Sequence, residues 1–290
     1  MIRLYLGKEP ADISNTRSIN LPLAINAFNT YGPGSKQLTN ALKNGYQIAR
    51  PFLYERQYKK CAFCEMLVDD INSPVEHFRP KGAAENKKKT RWYKVTSHYW
   101  WMTWTWENLF FSCNRCNYKG SKGNKFPLRT GTQRIQAPVT PCPAAIPAVH
   151  YDCSTESALL VNPREDNPFD HLQWALVDRT AHPRNWKWTI VGQDEKGDMT
   201  IEVFRLEQRV DLVNSHLQVV REARENIENY LALGSIQDAV NTWERTVSNY
   251  IIDASKPFRN AVWWALNDIY SQPEQIRHGF TPPPFPVSYR

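Results

Sequence analysis

Residues 61–81, CAFCEMLVDDINSPVEHFRPK, and residues 106–128, WENLFFSCNRCNYKGSKGNKFPL, decide the reading of this 290-residue chain. Each holds one Cys-x-x-Cys pair, Cys61/Cys64 and Cys113/Cys116. A two-residue spacer lets both sulfurs of a pair reach one ion about 2.3 Å away, and two such pairs complete the tetrahedron of a structural Zn2+. Between Cys64 and Cys113 lie 48 residues, more than a compact zinc ribbon needs, so a further unit is inserted there. Within it Val75–Phe78 reads as one strand, Asn108–Phe111 as a second, and Cys113–Lys122 as the opening of a short helix. Closing four cysteines on one ion would bring Glu76, His77 and Asn117 to a common centre.

Those three residue types suit hydrolysis of a phosphodiester. A carboxylate and an amide oxygen are hard ligands for Mg2+ or another divalent cation, which polarises a phosphate and stabilises a leaving oxygen. An imidazole can take the proton of an attacking water. A zinc with four sulfur ligands has no open position for water, so it would be structural and catalysis would need the second ion.

The same residues resemble the HNH, or ββα-metal, nuclease motif, in which an acidic residue and His end the first strand, Asn opens the second, and Asn or His lies on the helix. The resemblance implies His77 as general base, Glu76 and Asn117 as ligands of the catalytic ion, and Asn108 as the brace of the intervening loop. The cysteines stand where the zinc-knuckle variant of that family carries them. Through CAFCE, VEHFRPK, YWWMTWTWENL, SCNRCNYKGSKGNKFPL and LLVNPREDNPFDHL the chain is similar, over residues 50–175 and loosely beyond, to the PtuB-like nucleases of Septu anti-phage systems and to related retron-linked effectors. Glu76, where the wider motif has Asp or His, agrees with this closer family. The resemblance implies a nucleic acid substrate, DNA before RNA, and an ABC/SMC-type ATPase partner. For the retron-linked group it also implies a reverse transcriptase with its RNA–DNA component.

Charge agrees with a polyanionic partner. Twelve Lys and Arg between Arg79 and Arg129 face only Glu85 and Glu107, a local excess of ten in a chain whose net charge is +7. Arg79, Lys81, Lys119, Lys122 and Lys125 are the candidate phosphate contacts. Trp92, Trp100, Trp101, Trp104 and Trp106 crowd the insertion and read as its packing over the strands in preference to base-stacking platforms. An apolar content of 41%, no run of 18 apolar residues and the N-terminal MIRLYLGKEP predict a cytoplasmic protein with no membrane segment. There the paired cysteines serve as ligands, not disulfides, and Cys142 and Cys153 are bystanders.

The fold class expected is α+β: a zinc-knuckle ββα core at 51–135 with a helical lead-in, after an N-terminal segment, 1–50, of weak signal. Thr39–Lys60 reads as a helix broken near Pro51, after a Gly/Pro turn at Tyr31–Gly34. Region 136–205 opens with a Pro-rich connector, Gln136–His150. Strands follow at Leu159–Pro163, Trp186–Val191 and Met199–Phe204, the last two joined by a hairpin loop at Gly192–Asp198. Region 206–290 is helical, with Val210, Val213, Leu217, Val220, Ile227 and Leu231 on one face and Gly234 as the stop. Ser235 and Asp238 cap the next helix, whose inner residues are Ile236, Val240, Trp243, Val247 and Ile251. Pro257 precedes a third helix, Phe258–Tyr270, and the Pro-rich tail is extended or disordered. The rival expectation is a non-catalytic zinc-knuckle adaptor or nucleic-acid binder, which needs neither Glu76-His77 nor Asn117.

Overall fold

Ile2, Leu4 and Leu6 are buried while Tyr5 is exposed, and this period of two makes Arg3–Tyr5 a strand, β1, of the computed structural model, which describes residues 1–95, 98–137 and 153–289. Helix α1 (Ala11–Tyr31) buries Ile13, Arg17, Leu21, Ala24 and Ala27. Its stripe includes an arginine and its outer face carries exposed Ile19 and Leu23, so the sequence shows no clean apolar face and residues 1–38 gave no helix signal. Arg17 is accommodated by Glu9, whose carboxylate accepts from Nη2 at 2.9 Å. The expected helix over Thr39–Lys60 is instead three pieces: α2 (Lys36–Ala41), a 3-10 turn at Tyr46–Ala49, and α3 (Arg50–Arg56). Pro51 starts α3, where no intrahelical N–H is required, and does not break a helix.

Strands β2 (Val75–His77), β3 (Ala84–Lys88), β4 (Arg91–Val95) and β5 (Leu109–Phe111) and helix α4 (Asn114–Asn117) follow. β2 and β5 pair antiparallel, with Glu76 opposite Phe110 and His77 opposite Leu109. β3 and β4 form a separate hairpin. The elements are shorter than expected: Asn108 sits in a 3-10 turn before β5, and α4 ends at Asn117. Trp100, Trp101, Trp104 and Trp106 are buried with Phe78, Phe110, Phe111 and Phe126, and half-buried Trp92 packs against the same core, so this group packs the insertion. The Trp104 and Trp106 indoles donate to the carbonyls of Asn44 (2.9 Å) and Gly7 (3.1 Å), which ties the N-terminal segment to the insertion.

The Pro-rich connector and Cys142 fall at 138–152, outside the described residues, apart from the connector's first two positions. Leu159–Pro163 is no strand; a single bridge joins Ala158 to Leu128, and Leu159, Leu160 and Val161 are buried as irregular chain. Strand β6 (Leu172–Leu176) pairs antiparallel with β7 (Trp188–Gly192). The expected partner of β7, Met199–Phe204, lies in helix α5 (Glu195–Phe204), and Asp194 caps that helix by accepting from Gly197 N–H at 2.7 Å. The stretch Met-Thr-Ile-Glu-Val alternates apolar and polar residues, which imitates a strand. The cap inside the supposed hairpin loop decides for helix.

The C-terminal region is helical as read: α6 (Val210–His216), α7 (Gln218–Ala232), α8 (Ile236–Val247), α9 (Arg259–Ile269) and α10 (Gln272–His278). Val213, Leu217, Val220 and Ile227 are buried, and Gly234 follows α7 at positive φ. Ser235 makes no side-chain cap, and Ile236, expected inside, is 60% exposed. The tail ends in strand β8 (Val287–Tyr289), parallel to β1. One apolar cluster joins residues from Met1 to Phe280. No described helix is long and apolar enough to cross a membrane.

Candidate active site beside a four-cysteine centre

Two tight turns present the sulfurs. The first closes with Glu65 N–H donating to Cys61 O at 3.1 Å, Glu65 itself at positive φ; in the second Cys113 caps α4 and Cys116 N–H donates to its carbonyl at 3.1 Å. Ala62 N–H donates to Phe111 O (3.1 Å), so the first turn is docked on the end of β5, two residues before the second begins. The four buried Sγ atoms lie within 4.8 Å of one another, and Cys64 and Cys113 sulfurs are 3.8 Å apart. A tetrahedron with arms of about 2.3 Å has edges near 3.8 Å, so the set fits zinc. Buried Arg209 stands against the sulfurs. Burial alone would push its guanidinium pKa down, but the charge of Cys64, Cys116 and Cys113 and a hydrogen bond to Cys64 outweigh it and hold it above the ordinary value.

Beside this centre opens a cavity of about 490 Å³ bordered by Tyr46, Arg50, Glu76, His77, Lys81 and Asn117 among others. β2 delivers Glu76 and His77, and α4 delivers Asn117 one residue after the last cysteine. His77 Nε2 lies 3.0 Å from the Thr103 carbonyl, which can only accept, so Nε2 carries the proton and Nδ1 keeps a lone pair. Thr103 is aimed by the 3-10 turn at Trp100–Met102, and Asn108 fixes that turn. Its Nδ2 donates to Met102 O (3.2 Å) and Arg79 O (3.0 Å), while Arg79 N–H donates to its Oδ1 (2.7 Å). Asn108 does not border the cavity; it braces the loop that positions His77.

Buried Glu76 accepts from Lys122 Nζ at 2.9 Å, and Lys122 also donates to His77 O at 3.0 Å. Burial lifts the Glu76 carboxyl above its usual range, and the Lys122 charge only partly offsets this. Lys122, a candidate phosphate contact in the sequence, is fully buried, and Arg79 is locked on Glu156 at 2.9 Å; neither borders the cavity. Lys81 does border it, donating to Leu42 O at 2.9 Å and lying 3.5 Å over the Tyr46 ring. Burial pushes its pKa down to about 8 against the pull of Glu76. Lys119 is exposed and Lys125 donates to Gly120 O at 3.1 Å, both off the cavity wall. Cys153 borders a different cavity, with Arg79 and Glu156.

Arg50 carries no signal in the sequence. It opens α3 on the cavity wall, and its buried Nε has no hydrogen-bond partner among the described residues. No motif marks it, because it reaches the site from an element that precedes the cysteines. Thr103 was equally hidden, since it contributes a main-chain carbonyl and any residue supplies one.

Burial pushes the His77 imidazole down to about 3 and that of His98 to about 4, both below the ordinary 6.5. Both rings are therefore neutral in the folded chain, and the unfolded chain takes up protons first. Their contribution is full above pH 6.5 and drains away as pH falls toward 4. His98 reads this most cleanly, because its buried Nδ1 has no partner among the described residues and protonation would strand an N–H. Its share at pH 5 is about 2 kcal/mol. In denaturant unfolding, His98→Gln is expected to narrow the stability gap between pH 7.5 and pH 5 by that order; an unchanged gap would show that His98 is not the proton acceptor.

Fold and site together define a class: a mixed α+β protein whose buried four-cysteine cluster, able to hold zinc, backs a cavity lined by a carboxylate, an imidazole and an amide. The chain is similar to the Septu protein PtuB of Bacillus mycoides (strain KBAB4), 25% identical over 290 residues covering 88% of this chain and 90% of that protein. It is also similar to the Septu protein PtuB of Bacillus thuringiensis, 25% identical over 199 residues covering 66% of this chain and 56% of that protein. No family model matches this chain, nor does any solved structure.

Proposed function

We propose that the chain is a metal-dependent endonuclease of the HNH type that hydrolyses phosphodiester bonds of nucleic acid, serving as the effector of an anti-phage system and acting with an ABC/SMC-type ATPase. The observation that carries this reading is the meeting of Glu76, His77 and Asn117 on one cavity, with the His77 Nε2–H committed to a main-chain carbonyl. The likeness to Septu PtuB proteins supports the defence role.

Glu76 and Asn117 offer oxygen ligands of the hardness a divalent cation takes, and such an ion supplies charge for the scissile phosphate and the departing oxygen. Nδ1 of His77 accepts the proton of the attacking water, its lone pair left free because Nε2–H is committed to the Thr103 carbonyl. Lys122 holds the Glu76 carboxylate in place from behind. Arg50, on the cavity wall, grips a non-bridging phosphate oxygen.

The test is cleavage of DNA and RNA with added Mg2+ or Mn2+, comparing the parent chain with His77→Ala at equal zinc content. Loss of the base is expected to slow cleavage by about 10^2- to 10^4-fold. Equal rates would remove His77 from the chemistry, and binding without divalent-dependent cleavage would favour the adaptor.

A further inference from the structure

We infer that the β3–β4 hairpin is a binding arm for duplex DNA, laid along the major groove beside the cavity. This deepens the nuclease reading and rests on it for the position of the cut, while the arm itself is read by binding alone. Lys88, Lys89, Arg91 and Lys94 occupy seven consecutive positions with no acid among them; all are exposed, as is Tyr93, and none of the four forms an ion pair among the described residues. The base of the hairpin is anchored instead. Lys87 pairs with Glu202, and Trp92 lies under the Lys87 and Lys125 ammonium groups.

Two local choices oppose hairpin stability, and both supply positive charge. Lys88 stands directly opposite Arg91, a like-charged cross-strand pair that destabilises a ladder. Lys89 takes φ 54° in the two-residue turn, a position that favours Asn or Gly. An ordinary solvated surface needs neither, whereas a polyanion neutralises the Lys88–Arg91 repulsion and binds the charge that Lys89 places at the turn. The arm also starts at the cavity rim. Gly82 and Asn124 line the cavity, and Asn124 O accepts from Glu85 N–H at 2.8 Å. Five-residue strands reach about 17 Å, some five base pairs of B-form duplex beyond a phosphate held in the cavity. A two-stranded ribbon enters the B-form major groove, while the A-form groove of duplex RNA is too narrow.

The experiment uses the full chain carrying His77→Ala, so that DNA is bound and not cut, with a 30-base-pair duplex as probe between 50 and 200 mM salt. Combining Lys88→Ala, Lys89→Ala, Arg91→Ala and Lys94→Ala is expected to lower the slope of log K against log salt by about 3 to 4 and to weaken binding on the order of 10^3-fold at 0.1 M salt. A control combining Lys187→Ala, Arg245→Ala and Arg277→Ala, also exposed, keeps the parent slope. Zinc content and circular dichroism are matched across variants. The arm is refuted by an unchanged slope and affinity, by an equal fall in the control, or by a loss confined to single strands or RNA. A parent chain that cuts nothing while its duplex binding depends on the hairpin would refute the nuclease reading and leave the arm standing.

Discussion

Cys113→Ser is expected to release the metal and unfold the segment that carries the cavity. The four sulfurs are buried and crowded, so without an ion they must repack against one another and Arg209. Metal binding in structural cysteine sites is worth about 10–16 kcal/mol, comparable to or larger than the whole net stability of a domain. Helix α4, at four residues, cannot persist alone, and Asn117 sits at its end. The remaining ties between the knuckles include Ala62 on Phe111, Gln57, whose amide both donates to and accepts from the Phe111 main chain at 2.9 Å, the Cys61–Ser112 contact and the Phe63–Phe110 ring pair, none of which holds the four sulfurs together. Metal analysis should fall from about one zinc per chain to near zero, with proteolysis opening between Gln57 and Phe126. A variant that keeps its ion and its melting point would exclude the zinc-centred account of the fold.

Lys122→Met comes second in size. Its ammonium is the cation that touches the Glu76 carboxylate, and both groups are out of water. Removing one partner of such a pair costs about 3–5 kcal/mol, because the other charge is left uncompensated. Thermal unfolding should drop on the order of 5–10 °C, and Glu76 should take up its proton at a higher pH than in the parent, since the charge that lowers its pKa is gone. Adding Glu76→Leu should restore most of the stability and none of the cleavage. Were Lys122 instead a surface phosphate contact, as its place in the basic segment suggests, the melting point would hold and only nucleic-acid affinity would change.

That contrast marks where the sequence was readable. Spacing displays metal ligands and motif residues directly, so the cysteines, Glu76, His77 and Asn117 could be named, and the structure gathers the four sulfurs and, separately, the three cavity residues. Charge does not reveal which way a side chain turns. Of the five cations read as phosphate contacts, Arg79 and Lys122 point inward to carboxylates and only Lys81 borders the cavity. Helix α1 was invisible because Arg17 interrupts its inner stripe and Ile19 and Leu23 decorate its outer one. Helix α5 reads as a strand in the sequence because its alternation outweighs the Asp194 cap. The C-terminal helices were legible, since their apolar residues recur on a single face and Gly234 ends one of them.

Binding of Mn2+ to the zinc-loaded chain, followed by electron paramagnetic resonance, asks most directly whether Glu76, His77 and Asn117 form a second metal site. One ion per chain is predicted, weakened at least 10-fold by Glu76→Gln and by Asn117→Ala with the zinc content unchanged. No Mn2+ bound below millimolar concentration, or the same affinity in both variants, would contradict it.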